Sequence, residues 1–210
     1  MRKRLPLDKV TMSEMDKIIG RRVSETVQQT DSRYESEKKS LLADLSEPGF
    51  LNTLAIHEAG HEHFYLEAGA YGMTFDPPVI LFRPQNTVKP FKKQLARIEV
   101  GGYTSLQDKD WFLKLAKGYA AGGVCSETLS SSRYRGDRTD RDLWNQMCAD
   151  SFKNESLSEK EVKAIAEDYW NRARRAVQCE LNGFPKLKIQ NRAEEIMPLL
   201  FPWQRGPDSR

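Results

Sequence analysis

The sequence predicts a mainly α-helical fold that carries a small β-element, in the α+β class. Apolar residues recur at the spacing of a helix face through most of the chain, and only two short runs have the character of strands. The chain has 210 residues, of which 30% are charged and 39% are hydrophobic. It is long enough to bury a core without disulfides, and we expect one main domain.

The first 49 residues are predicted to form a tail followed by a helix. This helix begins near Thr11, and its apolar residues recur near helical spacing: Met12, Met15, Ile18, Ile19, Val23 and Val27. Residues 28–40 are nearly all polar, which indicates an exposed helix or a linker. We interpret residues 1–49 as a candidate interaction element, for self-association or for a separate partner protein.

Residues 50–203 are predicted to form the main domain, which begins after a turn at residues 46–49. The predicted helices span 50–68, 108–129 and 139–152, and two short strands lie within 77–83 and 97–104.

A predicted helical pair closes the domain. Ser158 is suited to be an N-cap, and Glu161 three residues later completes a capping box. Residues 183–185, Gly-Phe-Pro, end that helix, and a last helix is expected over residues 189–200. Residues 204–210 are predicted to be a C-terminal tail.

Charge and apolar patterning argue against several functional classes. The net charge is only +3, without the basic clusters of a nucleic-acid-binding surface. No apolar run approaches the roughly 20 residues of a membrane-spanning helix, and no signal-peptide pattern follows the basic N-terminus. The three cysteines are widely spaced without a Cys-x-x-Cys pair, which is typical of a reducing compartment. We therefore expect a cytoplasmic protein without an integral membrane segment.

The segment His57-Glu-Ala-Gly-His61 has the His-Glu-x-x-His pattern of zinc-dependent peptidases. Residues four apart lie on one face of a helix, so both imidazoles can reach a single metal ion. In this pattern the two histidines hold zinc and the glutamate, here Glu58, is the general base. The motif predicts zinc as the cofactor and peptide-bond hydrolysis as the activity.

The surroundings of the motif favour a buried site over a chance match. Residues 54–56 are apolar, and charged or imidazole groups in such a helix need partners. Gly60 costs about 1 kcal/mol in a helix interior, which indicates close packing against another element. His63 is rotated about 240° from His57 around the helix, so we interpret it as incidental.

A third protein ligand is expected, because a catalytic zinc takes three and keeps one position open. Beyond the motif the chain has only His63, so this ligand is expected to be a carboxylate or a cysteine. The candidates all lie between Cys125 and Leu143: Glu127, Asp137, Asp140, Asp142 and, less favoured, Cys125. Spacing alone leaves these alternatives open.

Over residues 50–200 the chain resembles the peptidase domain of the FtsH family of ATP-dependent zinc proteases. The spelling His-Glu-Ala-Gly-His is typical of that family. Further segments are similar to it in the same order along the chain: Val79-Ile-Leu-Phe-Arg83-Pro, Gly101-Gly-Tyr-Thr104, Gly122-Gly-Val-Cys-Ser-Glu127 and Gly136-Asp-Arg-Thr-Asp140-Arg-Asp142-Leu143. The resemblance implies a helical zinc metallopeptidase domain with a small β-element.

The resemblance also implies that an aspartate in the last of these segments is the third zinc ligand. Its distance from Gly136 favours Asp140, whereas the leucine that follows favours Asp142. We prefer Asp142, because Thr139 as N-cap would place that carboxylate in the first turn of a helix, where an anion is stabilised. Glu127 would support the ligands or, least favoured, be one of them.

The ATPase and membrane segments of the family are not recognisable in this sequence, which contains no G-x-x-x-x-G-K-[ST] phosphate loop. The resemblance therefore implies a stand-alone domain that hydrolyses flexible polypeptide substrates. A homo-oligomer, as in the ring-forming family, or a separate partner protein stays open. The alternative hypothesis is a protease-like zinc-binding module that regulates or binds another protein with little catalysis.

Overall fold

The computed structural model describes residues 32–82, 91–104, 110–130 and 137–202. Helices dominate these residues and the strands are short, in the order α1 (Ser32–Ser46), α2 (Phe50–Glu67), β1 (Ala70–Tyr71), β2 (Thr74–Asp76), β3 (Val79–Phe82), β4 (Phe91–Gln94), β5 (Arg97–Glu99), β6 (Gly102–Tyr103), α3 (Trp111–Leu129), α4 (Asp137–Ser151), α5 (Glu159–Glu180) and α6 (Pro185–Leu200). The prediction of a mainly helical fold with a small β-element is confirmed. The helix predicted from Thr11 and the tail predicted for residues 204–210 lie outside the described residues.

Helix α2 is the central element of the fold. It packs along α3 on one side and along α6 on another, and a helix enclosed in this way is apolar around most of its circumference. The helix begins directly after Gly49, whose φ of 80° is a left-handed conformation that glycine adopts without strain. Within the described ranges, no helix has both the length and the apolar character needed to cross a membrane.

The buried core has two parts. The first joins α1, α2, the β3–β4 pair and α6, and Leu41, Leu54 and Ile196 are fully buried in it. The second joins α3, α4 and α5 around Trp144 and Trp170. Since α1 contributes to the first part, the described portion of the N-terminal 49 residues packs into the same core as the main domain.

The six strands are the two arms of one long antiparallel hairpin. They form three two-stranded ladders, β1–β6, β2–β5 and β3–β4. The register runs through all three without a shift, since Ala70 faces Tyr103, Phe75 faces Ile98 and Phe82 faces Phe91. A two-stranded ribbon is marginal alone, and this one is supported by packing against α1, α2 and α6.

The closing helical pair forms largely as the sequence indicates. Ser158 and Glu161 make the capping box at the start of α5, with each side chain bonded to the backbone of the other residue. Helix α6 begins at Pro185, one turn earlier than predicted, because proline is well suited to the first helical position.

A buried lysine joins three of the helices. Lys117 Nζ on α3 lies 2.7 Å from Glu67 Oε2 and 2.9 Å from Glu180 Oε1, and these glutamates are the last residues of α2 and α5. The ammonium group also lies 4.8 Å from the centroid of the Phe64 ring.

Candidate metal centre

The two histidines of the motif converge on the side of α2 that faces α3. As their i, i+4 spacing predicts, the rings are neighbours: their Nε2 atoms are 3.0 Å apart and their planes are inclined at 83°. His57 is 3% exposed and His61 is 4% exposed, so both imidazoles lie inside the protein.

Asp140 completes a group of three possible ligands. Its Oδ2 lies 3.3 Å from His57 Nε2 and 3.4 Å from His61 Nε2, and these three residues together can hold a metal ion. Tetrahedral zinc with bonds of about 2.0–2.1 Å to nitrogen and oxygen requires ligand atoms roughly 3.3 Å apart. The observed separations fit that requirement, and so does the donor set of two imidazoles and a carboxylate.

The structure brings Asp140, and not the preferred Asp142, beside the two imidazoles. Helix α4 begins at Asp137, two residues before the predicted start, and Asp140 lies in its first turn. At about 100° per residue, Asp142 is turned roughly 200° away from Asp140, and its side chain is exposed. Asp140 and Trp144 lie on the side of α4 that faces the protein interior. The buried Trp144 indole donates a 2.8 Å hydrogen bond to the Ala166 carbonyl of α5.

Two other ligand candidates on α3 have different roles. Glu127 is exposed and forms a 2.9 Å ion pair with Arg174 of α5. Cys125 is fully buried, and a Cβ added to Gly60 would meet its Sγ at 2.7 Å. Burial raises the pKa of the Cys125 thiol to about 12, so it stays protonated. The close packing that Gly60 indicated is therefore its approach to α3.

Two residues remain, namely His63, which was interpreted as incidental, and the ligand candidate Asp137. His63 Nε2 is 3.6 Å from Glu67 Oε1, on another face of α2, in agreement with its interpretation as incidental. The side chain of Asp137 is outside the described part of the structure.

The backbone of α3 shapes the space around the imidazoles. His61 Nδ1 donates a 2.7 Å hydrogen bond to the Gly118 carbonyl, which leaves Nε2 as the nitrogen available to a metal ion. One turn later on α3, a Cβ added to Gly122 would overlap His61 Nε2 and lie 2.6 Å from His57 Nε2. Any side chain at position 122 would therefore occupy the space of the ligand atoms.

Glu58 is buried beside the ligands and is held by the hairpin. Its Oε2 accepts a 2.8 Å hydrogen bond from the Ile98 amide of β5. Burial raises the pKa of Glu58 above its ordinary value, while the charges of His57 and His61 act in the opposite direction. The carboxylate is therefore electrostatically coupled to the metal centre and fixed by a strand that is distant in sequence.

Asp140 and His61 stabilise each other's charged forms. Burial alone would lower the pKa of His61, but the Asp140 carboxylate, together with Glu58 and the Gly118 carbonyl, outweighs it and raises that pKa to about 9. For Asp140, burial acts to raise the pKa, and the two imidazoles hold it well below its usual range. A divalent cation bound here would replace the proton of the imidazole and would supply the positive charge opposite the Asp140 carboxylate.

Sequence reasoning missed the supporting contacts of the centre. The Gly118 carbonyl and the Ile98 amide are backbone groups, which leave no side-chain signal in a sequence. Tyr65 stacks on His61 with ring centroids 5.8 Å apart and planes inclined at 15°. The sequence did indicate that contact, because His57, His61 and Tyr65 follow one another at intervals of four residues and so lie on one face of the helix.

Comparisons with known proteins give no match, whether to protein-family models, to curated proteins or to solved structures. The resemblance to FtsH peptidase domains therefore stays a prediction from the motifs, and the assignment of the centre depends on its own geometry.

Proposed function

We propose that this protein is a zinc-dependent metallopeptidase of the FtsH peptidase type that hydrolyses peptide bonds in flexible polypeptides. The observation that carries the proposal is the group of His57, His61 and Asp140, in which both imidazoles are buried, with the buried Glu58 of the same His-Glu-x-x-His helix. The position of Asp140, four residues after Gly136, also agrees with the spacing of the aspartate in that family.

The donor set supports zinc as the metal. Two imidazoles and one carboxylate suit this borderline ion, and structural zinc sites usually have four protein ligands. Among the described residues, three protein ligands converge here, which is the number found in catalytic sites. When bound, zinc supplies a Lewis acid that activates water and polarises a carbonyl.

The residues of the chain have distinct tasks in this mechanism. Glu58 accepts the proton of the attacking water and passes it to the amine that leaves. The hydrogen bond from the Ile98 amide limits the orientations of the Glu58 carboxylate, and its burial excludes bulk water from it. Gly122 leaves the space that the two Nε2 atoms need, and Gly118 sets the tautomer of His61.

One observation favours the alternative, a zinc-binding module with little catalysis. His57 and Glu58 are both only 3% exposed, and so deep a centre is also suited to a structural metal. Asp140 is the more open member, with 15% of its side chain exposed, and it marks the side from which a substrate would approach.

Replacement of the proposed general base separates these two functions. We expect Glu58→Gln to keep one zinc per chain by elemental analysis. Its cleavage of unfolded casein should fall by about 100-fold or more, as loss of general-base catalysis predicts. The matched control is Glu127→Gln, which removes an exposed carboxylate outside the centre and should keep both zinc and cleavage.

The possible outcomes distinguish the peptidase from the regulatory module. Stoichiometric zinc without any cleavage by the wild-type chain would favour the regulatory module. Equal cleavage by wild type and Glu58→Gln would contradict the role of Glu58, and failure of the wild-type chain to bind zinc would remove both functions.

A further inference from the structure

Helix α6 has an exposed stripe opposite its buried face. The buried face contains Ile189, Ala193, Ile196 and Leu200. On the other side, residues follow one another at intervals of four, three, four and four positions, which keeps them in line along a helix: Phe184, Lys188, Asn191, Glu195 and Leu199. We call this set the α6 stripe.

The α6 stripe exposes large apolar side chains to solvent. Phe184 is 70% exposed and Leu199 is 45% exposed, and Leu187 borders the stripe at 56%. On α2 the exposed Leu66 lies near the stripe, because Leu66 and Lys188 line one cavity of about 300 Å³. The exposed apolar side chains thus lie at the two ends of the stripe, Phe184 and Leu187 at one end and Leu199 at the other, with polar residues between them.

The order of residues in the stripe is self-complementary. In two antiparallel helices, residues pair across a fixed midpoint, and here that midpoint lies between Asn191 and Arg192. With the same helix of a second copy in the opposite direction, Phe184 faces Leu199 and Lys188 faces Glu195, and each pair occurs twice by symmetry. The spacing of three and four residues is that of a helix–helix seam.

The two charged members of the stripe are available for such pairs. Lys188 has no ion-pair partner within the described ranges, and its Nζ lies 5.2 Å from the centroid of the Phe184 ring. Glu195 is bonded to Arg192 at 2.8 Å, yet 64% of its side chain is exposed and can accept a second cation. Charge complementarity therefore favours a second copy of this chain as the occupant of the stripe.

We propose that the protein forms a two-fold symmetric dimer through antiparallel packing of the α6 stripe against the same stripe of a second copy. The 16 residues of α6 give a seam of about 24 Å. The interface is isologous, so each favourable contact is made twice. It lies on the α6 side of α2, whereas His57 and His61 face α3, so the dimer surface does not include the candidate metal ligands.

Charge exchange across the interface tests this arrangement by sedimentation velocity over a concentration series. Lys188→Glu or Glu195→Lys alone places like charges opposite each other at two points, and we expect each to raise the dimer Kd about tenfold or more. The double exchange restores both pairs and should return the Kd to within a few-fold of wild type. Lys163→Glu, at an exposed position on α5, is the control and should leave the Kd unchanged.

Apolar substitution and disulfide cross-linking provide a second test of the proposed dimer. Phe184→Ser should weaken the dimer, whereas Leu157→Ser, outside the stripe, should not. In a Cys179→Ser background, Asn191→Cys lies beside the two-fold axis and should form an intermolecular disulfide on mild oxidation. A wild-type chain that stays monomeric at every accessible concentration overturns the proposal. A dimer insensitive to both single exchanges, or one that the double exchange fails to restore, overturns it equally.

Discussion

Two faces of helix α2 satisfy their polar side chains in different ways. Toward α3 and the hairpin, His61 and Glu58 are bonded to backbone groups, and Asp140 is the carboxylate that joins the imidazoles. Toward α6, Glu62 makes a bidentate ion pair with Arg192, at 2.5 and 2.8 Å. The first face fixes atoms at defined positions, whereas the second joins two helices through charge. We therefore expect substitutions on the first face to change metal binding and those on the second to change stability.

The largest effect is expected at the third ligand. Asp140→Asn removes the carboxylate oxygen 3.3 Å from His57 Nε2, and we expect zinc affinity to fall by about 100-fold or more, since even supporting residues contribute 10–100-fold. Asp142→Asn changes an exposed carboxylate on the opposite side of α4 and should leave affinity unchanged. Competition titration with a chromogenic zinc chelator measures both. An equal loss in the two variants would contradict the assignment of Asp140.

A substitution on α3 tests whether its backbone shapes the centre. In Gly122→Ala the new methyl group would lie 2.6 Å from His57 Nε2, so the imidazoles have to move. We expect zinc content to fall by at least about tenfold, because misplaced ligands weaken the site much as lost supporting contacts do.

Gly183→Ala is the matched control, because its nearest neighbour, the Glu180 carbonyl oxygen, is 3.4 Å from the added carbon and its φ is not positive. Elemental analysis after dialysis measures both variants. Full zinc in Gly122→Ala would show that the imidazoles do not depend on this contact.

The smallest effect is expected on the opposite face. Arg192→Met leaves the buried Glu62 carboxylate without its bidentate partner, and we expect a loss of about 1–2 kcal/mol in the free energy of unfolding, with zinc content unchanged. Urea denaturation at one low protein concentration measures the loss. In the double variant with Glu62→Gln the loss should be smaller than the sum of the two single losses. Strict additivity would mean that the pair is not coupled.

The sequence alone predicted the parts of the fold and the centre that depend on local periodicity. The i, i+4 relation of His57 and His61 needs only a helix, and the capping box at Ser158 needs only residues three apart. The choice between Asp140 and Asp142 needed the rotation of α4 about its own axis. That rotation is fixed by a contact distant in sequence, the Trp144 indole on the Ala166 carbonyl, so local spacing left it open.

Two features of the fold were hidden for a related reason. Helix α1 buries Tyr34, Leu41 and Leu45, but of these only Tyr34 lies within residues 28–40, where its neighbours are polar. That stretch was therefore interpreted as an exposed helix or a linker. The hairpin was visible only as two strands. Its continuous register depends on pairs such as Ala70 with Tyr103, at opposite ends of the ribbon, which no local pattern specifies.

The fold tolerates loss of either glutamate partner of the buried Lys117 better than loss of Lys117 itself. Its ammonium group has two carboxylate partners, so loss of either Glu67 or Glu180 still leaves a neutral pair. Loss of the lysine would leave two carboxylates facing each other at helix C-termini, which already carry negative partial charge. The second carboxylate therefore compensates for loss of the first, but nothing compensates for loss of the single base. The candidate metal centre resembles the lysine in this respect, because none of its three possible ligands has a duplicate among the described residues.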